Sequence, residues 1–248
     1  MNKYVFIDSR IRDFELEQLR SMGYKVILLK KQDHVYPEIS AHADIFMIKI
    51  NNFLFIEEKM YSSLLKDILF NEFLENARDK INIIKVPAFG DKYPEDIKLN
   101  IAIVGGRAFH NLKYTDKNLL EYVDNCRFID VKQGYTNCST AIIDENSIIT
   151  NDKGIYEACK NEDIDSLFIN VDDGEIKLLN EDGSYSNMRG FIGGCISRIG
   201  DSVIIFGDIK KLNDYEKIFE FMRKKNIKII SFKGEDLIDY GGLIEIEL

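Results

Sequence analysis

The sequence predicts an α/β propeller of five ββαβ-like units around a pseudo-fivefold axis, closed by pairing of the N- and C-terminal strands. Two observations carry this prediction. A unit of strand, tight turn, strand, helix and strand can be read four times along the chain, and a fifth unit is split between its two ends. Such a period governs the choice of fold. A closed ring leaves no edge strand exposed, whereas an open array of repeats needs capped ends.

The clearest unit spans residues 138–171. Two short runs rich in β-branched residues flank Asp144-Glu145-Asn146, a helical stretch follows, and the segment SLFINV closes the unit. Turns that carry Asn, Asp and Gly are typical of short hairpin connections. This unit therefore sets the pattern against which the weaker copies are read.

Three further continuous units show the same order. Residues 195–233 combine CISRI and SVIIFGD with a helix around DYEKIFEFMRKK and the strand IKIISF. Residues 44–87 combine DIFMIKI, the turn Asn51-Asn52, FLFIEE, one helix YSSLLKDILFNEFLENA and INIIKV. Residues 100–133 form the weakest copy, with NIAIV, Gly105-Gly106, RAF, a helix KNLLEYVDN and RFIDV. Amphipathic spacing in the helices predicts that they pack outside the strands.

The ends of the chain supply the fifth unit, residues 241–248 plus 3–30. The segment GGLIEIEL reads as a lone first strand, while YVFID, DFELEQLRSM and KVILL read as strand, helix and strand. Nothing in the composition marks an internal linker, since no segment is rich in Pro or Ser. We therefore expect residues 1–248 to form a single domain.

Composition limits the partners. Apolar residues make up 45% of the 248 residues, and the net charge of −9 argues against a general nucleic-acid or anionic-membrane surface. No apolar run approaches the roughly 18 residues of a membrane span, and no signal peptide is recognisable at the start MNKYVFIDSR. Cys126, Cys138, Cys159 and Cys195 form no CxxC pair and no zinc spacing. We expect a cytoplasmic protein without cofactor or metal that binds a small molecule, with a homo-oligomer left open.

The repeat aligns several reactive side chains. Asp44 lies seven residues before Asn51, and Cys138 lies seven before Glu145, so the two occupy equivalent columns of two units. His42 lies two residues before Asp44, on the same side of an extended strand. In a ring, the starts of the first strands converge, which would bring thiol, imidazole and carboxylate into one axial pocket. That is the composition of a Cys–His–acid nucleophilic site, in which the imidazole promotes a thiolate of lowered pKa.

These segments resemble a known superfamily. The fivefold repeat, His42-Ala43-Asp44, and the run from Gly134 through Asn137-Cys138 to Thr140 resemble the guanidino-group-modifying enzymes, or pentein fold. That superfamily includes arginine and agmatine deiminases, dimethylarginine hydrolases and amidinotransferases. The architectural resemblance covers nearly the whole chain, and the motif match covers fewer than about fifteen residues. The chain is similar to a compact, uncharacterised family within that fold.

The resemblance implies a mechanism. Cys138 would attack the electrophilic carbon of an amidine or guanidine, and His42 would protonate the leaving amine and then activate water. Asp44 would pair with substrate nitrogens through charge-assisted hydrogen bonds. The superfamily usually carries its nucleophile near the C-terminus, so Cys195 in GFIGGCISRIGD is the alternative nucleophile. The spacing of about two units from His42 favours Cys138.

Five other polar residues are candidates for the site, and four of them have two interpretations. Asn100 opens the weaker unit and would face the same pocket. Asp152 and Asp208 precede helices, where they either cap the helix or reach substrate. Arg10 and Arg107 either lie at the surface or bind a substrate carboxylate.

Two glycine pairs and one rival function complete the prediction. Gly193-Gly194 and Gly241-Gly242 would allow close backbone approach near the axis.

The rival function is a non-catalytic small-molecule-binding or assembly protein on the same scaffold, with Cys138 and Cys195 as buried structural residues. Thiol reactivity separates the two readings.

Overall fold

A computed structural model describes residues 2–122 and 126–248 as a mixed α/β protein. Within them the helices are α1 (Asp13–Ser21), α2 (Ala43–Phe46), α3 (Glu58–Leu64), α4 (Ile68–Ala77), α5 (Lys117–Tyr122), α6 (Lys153–Asn161), α7 (Ile192–Cys195) and α8 (Tyr215–Lys224), with 3-10 turns at Pro37–Ile39 and Ile209–Lys211. The strands are β1 (Lys3–Asp8), β2 (Lys25–Leu29), β3 (Met47–Ile50), β4 (Phe53–Glu57), β5 (Asn82–Val86), β6 (Ala102–Val104), β7 (Arg107–His110), β8 (Arg127–Asp130), β9 (Thr140–Asp144), β10 (Ser147–Thr150), β11 (Asp165–Phe168), β12 (Ile176–Leu179), β13 (Tyr185–Arg189), β14 (Ile196–Ile199), β15 (Ser202–Ile205), β16 (Lys228–Ser231), β17 (Leu237–Ile238) and β18 (Ile244–Glu247).

Five three-stranded sheets share one topology. In each, the central strand pairs antiparallel with one neighbour and parallel with the strand that follows a helix: β3-β4-β5, β6-β7-β8, β9-β10-β11, β14-β15-β16 and β18-β1-β2. We call β3, β6, β9, β14 and β18 the first strands. β18 pairs antiparallel with β1, from Lys3 opposite Glu247 to Phe6 opposite Ile244. The two ends of the chain therefore meet in one sheet.

A sixth sheet, β13-β12-β17, falls outside the predicted units. Its hairpin is formed by residues 176–189, between the units at 138–171 and 195–233, and its third strand has two residues. The strand β13 reads Tyr-Ser-Asn-Met-Arg, and most of its side chains are exposed. A polar segment of this kind carries no apolar alternation, which is why the sequence pattern does not reveal it.

Several strands begin later than the sequence predicts. Residues 43–46 and 192–195 form the single helical turns α2 and α7, so Asp44 and Cys195 precede their strands rather than open them. Cys138 also precedes its strand, because β9 begins at Thr140. The placement of His42 and Asp44 on one side of an extended strand is therefore wrong, since the chain turns between them.

The predicted helices also need correction. The segment YSSLLKDILFNEFLENA forms two helices rather than one, because the Asp67 side chain caps α4 by accepting hydrogen bonds from the backbone N–H groups of Leu69 and Phe70. In the weakest unit α5 covers Lys117–Tyr122 of the predicted helix, and residues 123–125 lie outside the described residues, so the end of this helix stays a prediction.

The first strands surround a cavity of about 370 Å³. Its lining includes residues from or directly beside all five of these strands, among them Lys49, Ile103, Ile142, Arg198 and Glu245. Asn137, Gly193 and Gly242 lie at positions just before the strands and line the same cavity. The segments that precede the first strands thus come close together, and most side chains of the candidate site come from these segments, although these side chains do not themselves line the cavity.

Candidate functional site

The predicted thiol and carboxylate are in direct contact. The Cys138 thiol donates a hydrogen bond to Asp44 Oδ2 at 2.8 Å, although 94 positions separate the two residues in sequence. Cys138 lies in the turn before β9, and Asp44 lies in the helical turn α2. Both are 2% exposed. The equivalence of their columns in the sequence correctly indicated that they lie close together.

Asn100 joins this pair. Its Nδ2 donates to Cys138 Sγ at 3.1 Å and to the Asp44 carbonyl oxygen at 3.2 Å. Its Oδ1 accepts hydrogen bonds from the backbone N–H groups of Asn137 at 2.8 Å and Cys138 at 3.3 Å. Because all four contacts tie one side chain to two other segments, Asn100 fixes the position of the thiol.

His42 lies beside two carboxylates that the sequence analysis did not select. Its Nε2 is 3.9 Å from Asp8 Oδ2, and its Nδ1 is 3.8 Å from Asp239 Oδ1. These distances exceed hydrogen-bond length. Among the described residues, neither ring nitrogen of His42 has a hydrogen-bond partner. No hydrogen bond therefore joins His42 to Cys138. The His42 ring is thus buried, and both of its nitrogens lack a hydrogen-bond partner in the described part of the chain. Asp44 Oδ1 is also buried without such a partner.

Asp239 is held by backbone groups. Its Oδ2 accepts a hydrogen bond from the Phe191 N–H and its Oδ1 accepts one from the Gly241 N–H, both at 2.8 Å. The glycines allow this approach. A Cβ built on Gly194 would lie 1.7 Å from Asp239 Oδ1, and one on Gly241 would lie 2.3 Å from the His42 Cβ. We call Asp8, His42, Asp44, Asn100, Cys138 and Asp239 the buried polar cluster.

Burial sets the protonation of the cluster. It raises the pKa of Asp239 to about 7, with the charge of Asp44 adding to the effect. Burial raises the pKa of Asp44 to about 6, although hydrogen bonds from Cys138, Asn137 and Asn100 oppose the shift. Burial lowers the pKa of His42 well below its usual value, and the positive charge of Arg10 lowers it further. At neutral pH the imidazole is therefore uncharged.

The Cys138 thiol does not have the lowered pKa that the sequence analysis expected. Burial raises its pKa well above the usual value, and the charges of Asp44 and Asp239 raise it further. A buried thiol next to carboxylates keeps its proton, because a thiolate there would be repelled and poorly solvated. The cluster without a ligand is thus a thiol, a neutral imidazole and carboxyl groups.

Cys195 makes no hydrogen bond to this cluster among the described residues. It is fully buried in the core with Ile192, Ile196 and Val203, and its thiol contacts the Ile192 carbonyl oxygen at 3.4 Å. Counting seven residues back from the hairpin turn at Gly200, as for Asp44 and Cys138, arrives at Gly193 rather than Cys195. Its position two residues later explains why it packs among apolar side chains.

The remaining candidates fall into two groups. Asp152 caps α6 by accepting from the Ile155 N–H, and Asp208 caps the 3-10 turn by accepting from the Lys210 N–H. Arg107 donates to the carbonyl oxygens of Gly105 and Glu162. Among the described residues, none of the hydrogen bonds of these three side chains goes to the cluster. Arg10, in contrast, pairs with Asp8.

Sequence reasoning missed Asp8 and Asp239. Asp8 ends β1, and Asp239 directly precedes Tyr240-Gly241-Gly242. Their signals were a carboxylate at the end of an apolar strand and one beside a glycine pair. Among the described residues, no group of three or more His, Cys, Asp or Glu side chains has a metal-binding arrangement. No described helix has the length and apolar character that crossing a membrane requires.

Comparison with known proteins places the fold. Dimethylarginine dimethylaminohydrolase, in an adduct with S-methyl-L-thiocitrulline, superposes with a TM-score of 0.56 at 11% identity over 93% of this chain and 92% of that one. The enzyme from Pseudomonas aeruginosa, complexed with citrulline, gives 0.56 at 10% identity over the same shares. An amidinotransferase from Microseira wollei gives 0.54 at 11% identity over 88% and 73%. The resemblance to the pentein fold is confirmed.

Comparison of the sequence with family models identifies a family to which no function is assigned. The model of the family of unknown function DUF6873 matches residues 6–244, and the chain belongs to that family. No curated protein matches the sequence.

Proposed function

We propose that this DUF6873 member is a cysteine-dependent enzyme that acts on the C–N bond of a small guanidine or amidine. The observation that carries the proposal is the 2.8 Å contact between Cys138 Sγ and Asp44 Oδ2, with Asn100 donating to the same sulfur. The fold shared with a dimethylaminohydrolase and an amidinotransferase supports this choice of substrate. We also propose that the five sheets with common topology close into a ring, since their first strands line one cavity.

The charges of the cluster suit a cationic substrate. Asp8, Asp44 and Asp239 place three carboxyl groups around His42 and Cys138. A carboxylate binds a guanidinium through charge-assisted hydrogen bonds. A bound cation would offset the repulsion that raises the pKa of Cys138, so the substrate itself would promote the thiolate.

The proposed reaction then has two stages. The Cys138 proton passes to Asp44, and the thiolate forms a C–S bond with the guanidine carbon. Because His42 is neutral, the proton that it delivers to the departing amine as the C–N bond breaks is relayed from the Asp239 carboxyl group beside its Nδ1. Water then adds to the carbon and returns a proton through His42 to Asp239. The C–S bond breaks, Asp44 returns its proton to the sulfur, and the product releases its last proton to solvent. In a transferase, a second amine takes the place of water.

The test is a screen of guanidines and amidines for release of ammonia or amine. We expect Cys138→Ser to abolish turnover, while the matched buried variant Cys195→Ser retains it. Acid quenching during turnover should leave a mass adduct on the peptide that contains Cys138. Turnover that survives Cys138→Ser but not Cys195→Ser would assign the nucleophile to the other cysteine.

A non-catalytic binding protein is the second candidate. It is favoured by the complete burial of the cluster and by the absence of a His42–Cys138 hydrogen bond among the described residues. Such a protein would show a ligand-dependent rise in melting temperature without turnover. In that case Cys138→Ser should weaken ligand binding only modestly, whereas Asp44→Asn should abolish it.

A further inference from the structure

Arg10 is the one cation that contacts the carboxylates of the cluster among the described residues. Its Nε lies 3.0 Å from Asp8 Oδ1 and its Nη2 lies 2.6 Å from Asp8 Oδ2, a bidentate pair. The Arg10 side chain is 8% exposed and that of Asp8 is fully buried. The Asp8 carboxylate therefore already holds a guanidinium group, and this group belongs to the chain itself.

The same guanidinium joins three segments. Its Nη1 donates to the carbonyl oxygens of Pro37 at 3.0 Å and Leu179 at 2.9 Å, and its Nη2 donates to that of Glu38 at 2.8 Å. Leu179 ends β12, in the sheet that lies outside the repeated units. Arg10 thus attaches the β12–β13 hairpin to the cluster end of β1.

Arg10 lines a cavity of about 310 Å³. The cavity is also lined by Arg12, by Leu179, Ser184 and Tyr185 of the hairpin region, and by Ile238. Arg10 also contacts Asp8, whose Oδ2 is 3.9 Å from His42 Nε2. The Arg10 side chain therefore both lines this cavity and contacts the carboxylate beside the unsatisfied ring of His42.

We propose that Arg10 is an internal occupant of a cation site at Asp8, and that an external guanidinium or ammonium group reaches the cluster from this cavity by displacing it. Exchange of one cation for another keeps the buried carboxylate paired, which avoids the large cost of a bare buried charge. A planar guanidinium can replace both hydrogen bonds to Asp8, because its fork matches a carboxylate. The inference concerns binding and holds for an enzyme and for a non-catalytic binding protein alike.

The experiment measures access to Cys138 in the full-length protein. Arg10→Ala should raise the rate of Cys138 alkylation by iodoacetamide at least about tenfold, while the rate at buried Cys159 stays unchanged. Millimolar guanidinium chloride should restore protection at Cys138, and sodium chloride at the same concentration should not. Arg107→Ala is the matched control, because Arg107 also donates to two carbonyl oxygens but lies away from the cluster.

Three results would overturn the proposal. They are a wild-type rate at Cys138 in folded Arg10→Ala, equal acceleration at every cysteine, and faster labelling that guanidinium does not reverse. If Arg10→Ala fails to fold, Arg10→Gln decides, since it keeps most of the side-chain length but removes the cation. Selective acceleration at Cys138 in that variant supports the proposal, and the wild-type rate refutes it. Absence of turnover would refute the proposed enzyme without changing any of these labelling rates.

Discussion

Asp44 and Asp239 make the stability of the folded protein depend on pH. Their pKa values are raised to about 6 and about 7, above the usual value of 3.8. The folded state therefore binds more protons than the unfolded chain between about pH 4 and pH 7. In that window the stability contributed by these groups is lost as pH rises, with a slope of up to about 1.4 kcal/mol per pH unit for each group.

We expect Asp239→Asn to flatten this dependence, since an amide cannot ionise. Between about pH 5 and pH 7.5 the free energy of unfolding should fall less steeply with pH for the variant than for the wild type. Urea titrations at several pH values measure the slopes. Asp208→Asn is the control, because the pKa of Asp208 is lowered by backbone hydrogen bonds and its contribution changes only at lower pH. Equal slopes for wild type and Asp239→Asn would contradict the assignment.

The sequence predicted those residues of the cluster that lie at equivalent positions of the repeated units. Cys138, Asp44 and Asn100 come together because each precedes a first strand at a comparable position. The sequence did not predict that Asp8 and Asp239 belong to the cluster, because neither occupies one of those equivalent positions in the repeat. In addition, 231 positions separate the two residues in the chain. The pKa of Cys138 was also beyond sequence reasoning, since it depends on complete burial and on the proximity of two carboxylates.

At the scale of secondary structure, the helical turn α2 carries Asp44 of the cluster, and the backbone of the helical turn α7 packs against Asp239. In α7, Gly194 faces Asp239 so closely that no side chain fits, because a Cβ would lie 1.7 Å from Oδ1. Gly194→Ala should therefore lower the free energy of unfolding by about 1–3 kcal/mol, through overpacking. Urea unfolding at pH 7 measures the loss.

Gly154→Ala is the control for this substitution. Gly154 lies in α6, and its Cβ would lie 3.2 Å from Asp152 Oδ1, a tight contact that a shift of a few tenths of an ångström in that side chain relieves. Alanine favours a helix interior over glycine, so the change should stay within about 1 kcal/mol of wild type. A loss at Gly194→Ala no larger than at Gly154→Ala would mean that Asp239 is free to move away.

The sequence also defines some elements and hides others. The β-branched runs of β9, β15 and β16 lie where the pattern predicts strands. Four-residue turns such as α2 carry too few residues for a helical period, and ADIF reads equally well as part of a strand. The β12–β13 hairpin has no counterpart in the other units, so the repeat does not predict it.

At the scale of the whole molecule, the contact between the chain ends decides whether the five sheets behave as a ring. β18 supplies Ile244 and Glu245 to the cavity that the other first strands also line, and its Ile246 is fully buried in the core. Removing β18 would leave β1 without its antiparallel neighbour. In a ring this loss affects every unit, because each first strand then lacks part of the central packing.

A chain that ends at Gly242 should therefore unfold in one transition, at least about 3 kcal/mol less stable than the full chain, because burial of Ile246 alone contributes about 1.5–3 kcal/mol. Amide hydrogen exchange should accelerate in β9 and β10 as well as in β1 and β2. The control Glu247→Ala removes only the exposed ion pair with Lys3 and should cost less than about 1 kcal/mol. Faster exchange confined to β1 and β2 would mean that the sheets are joined as an open series, in which the cluster is held by α2, the turn before β9 and Asn100 without help from the chain ends.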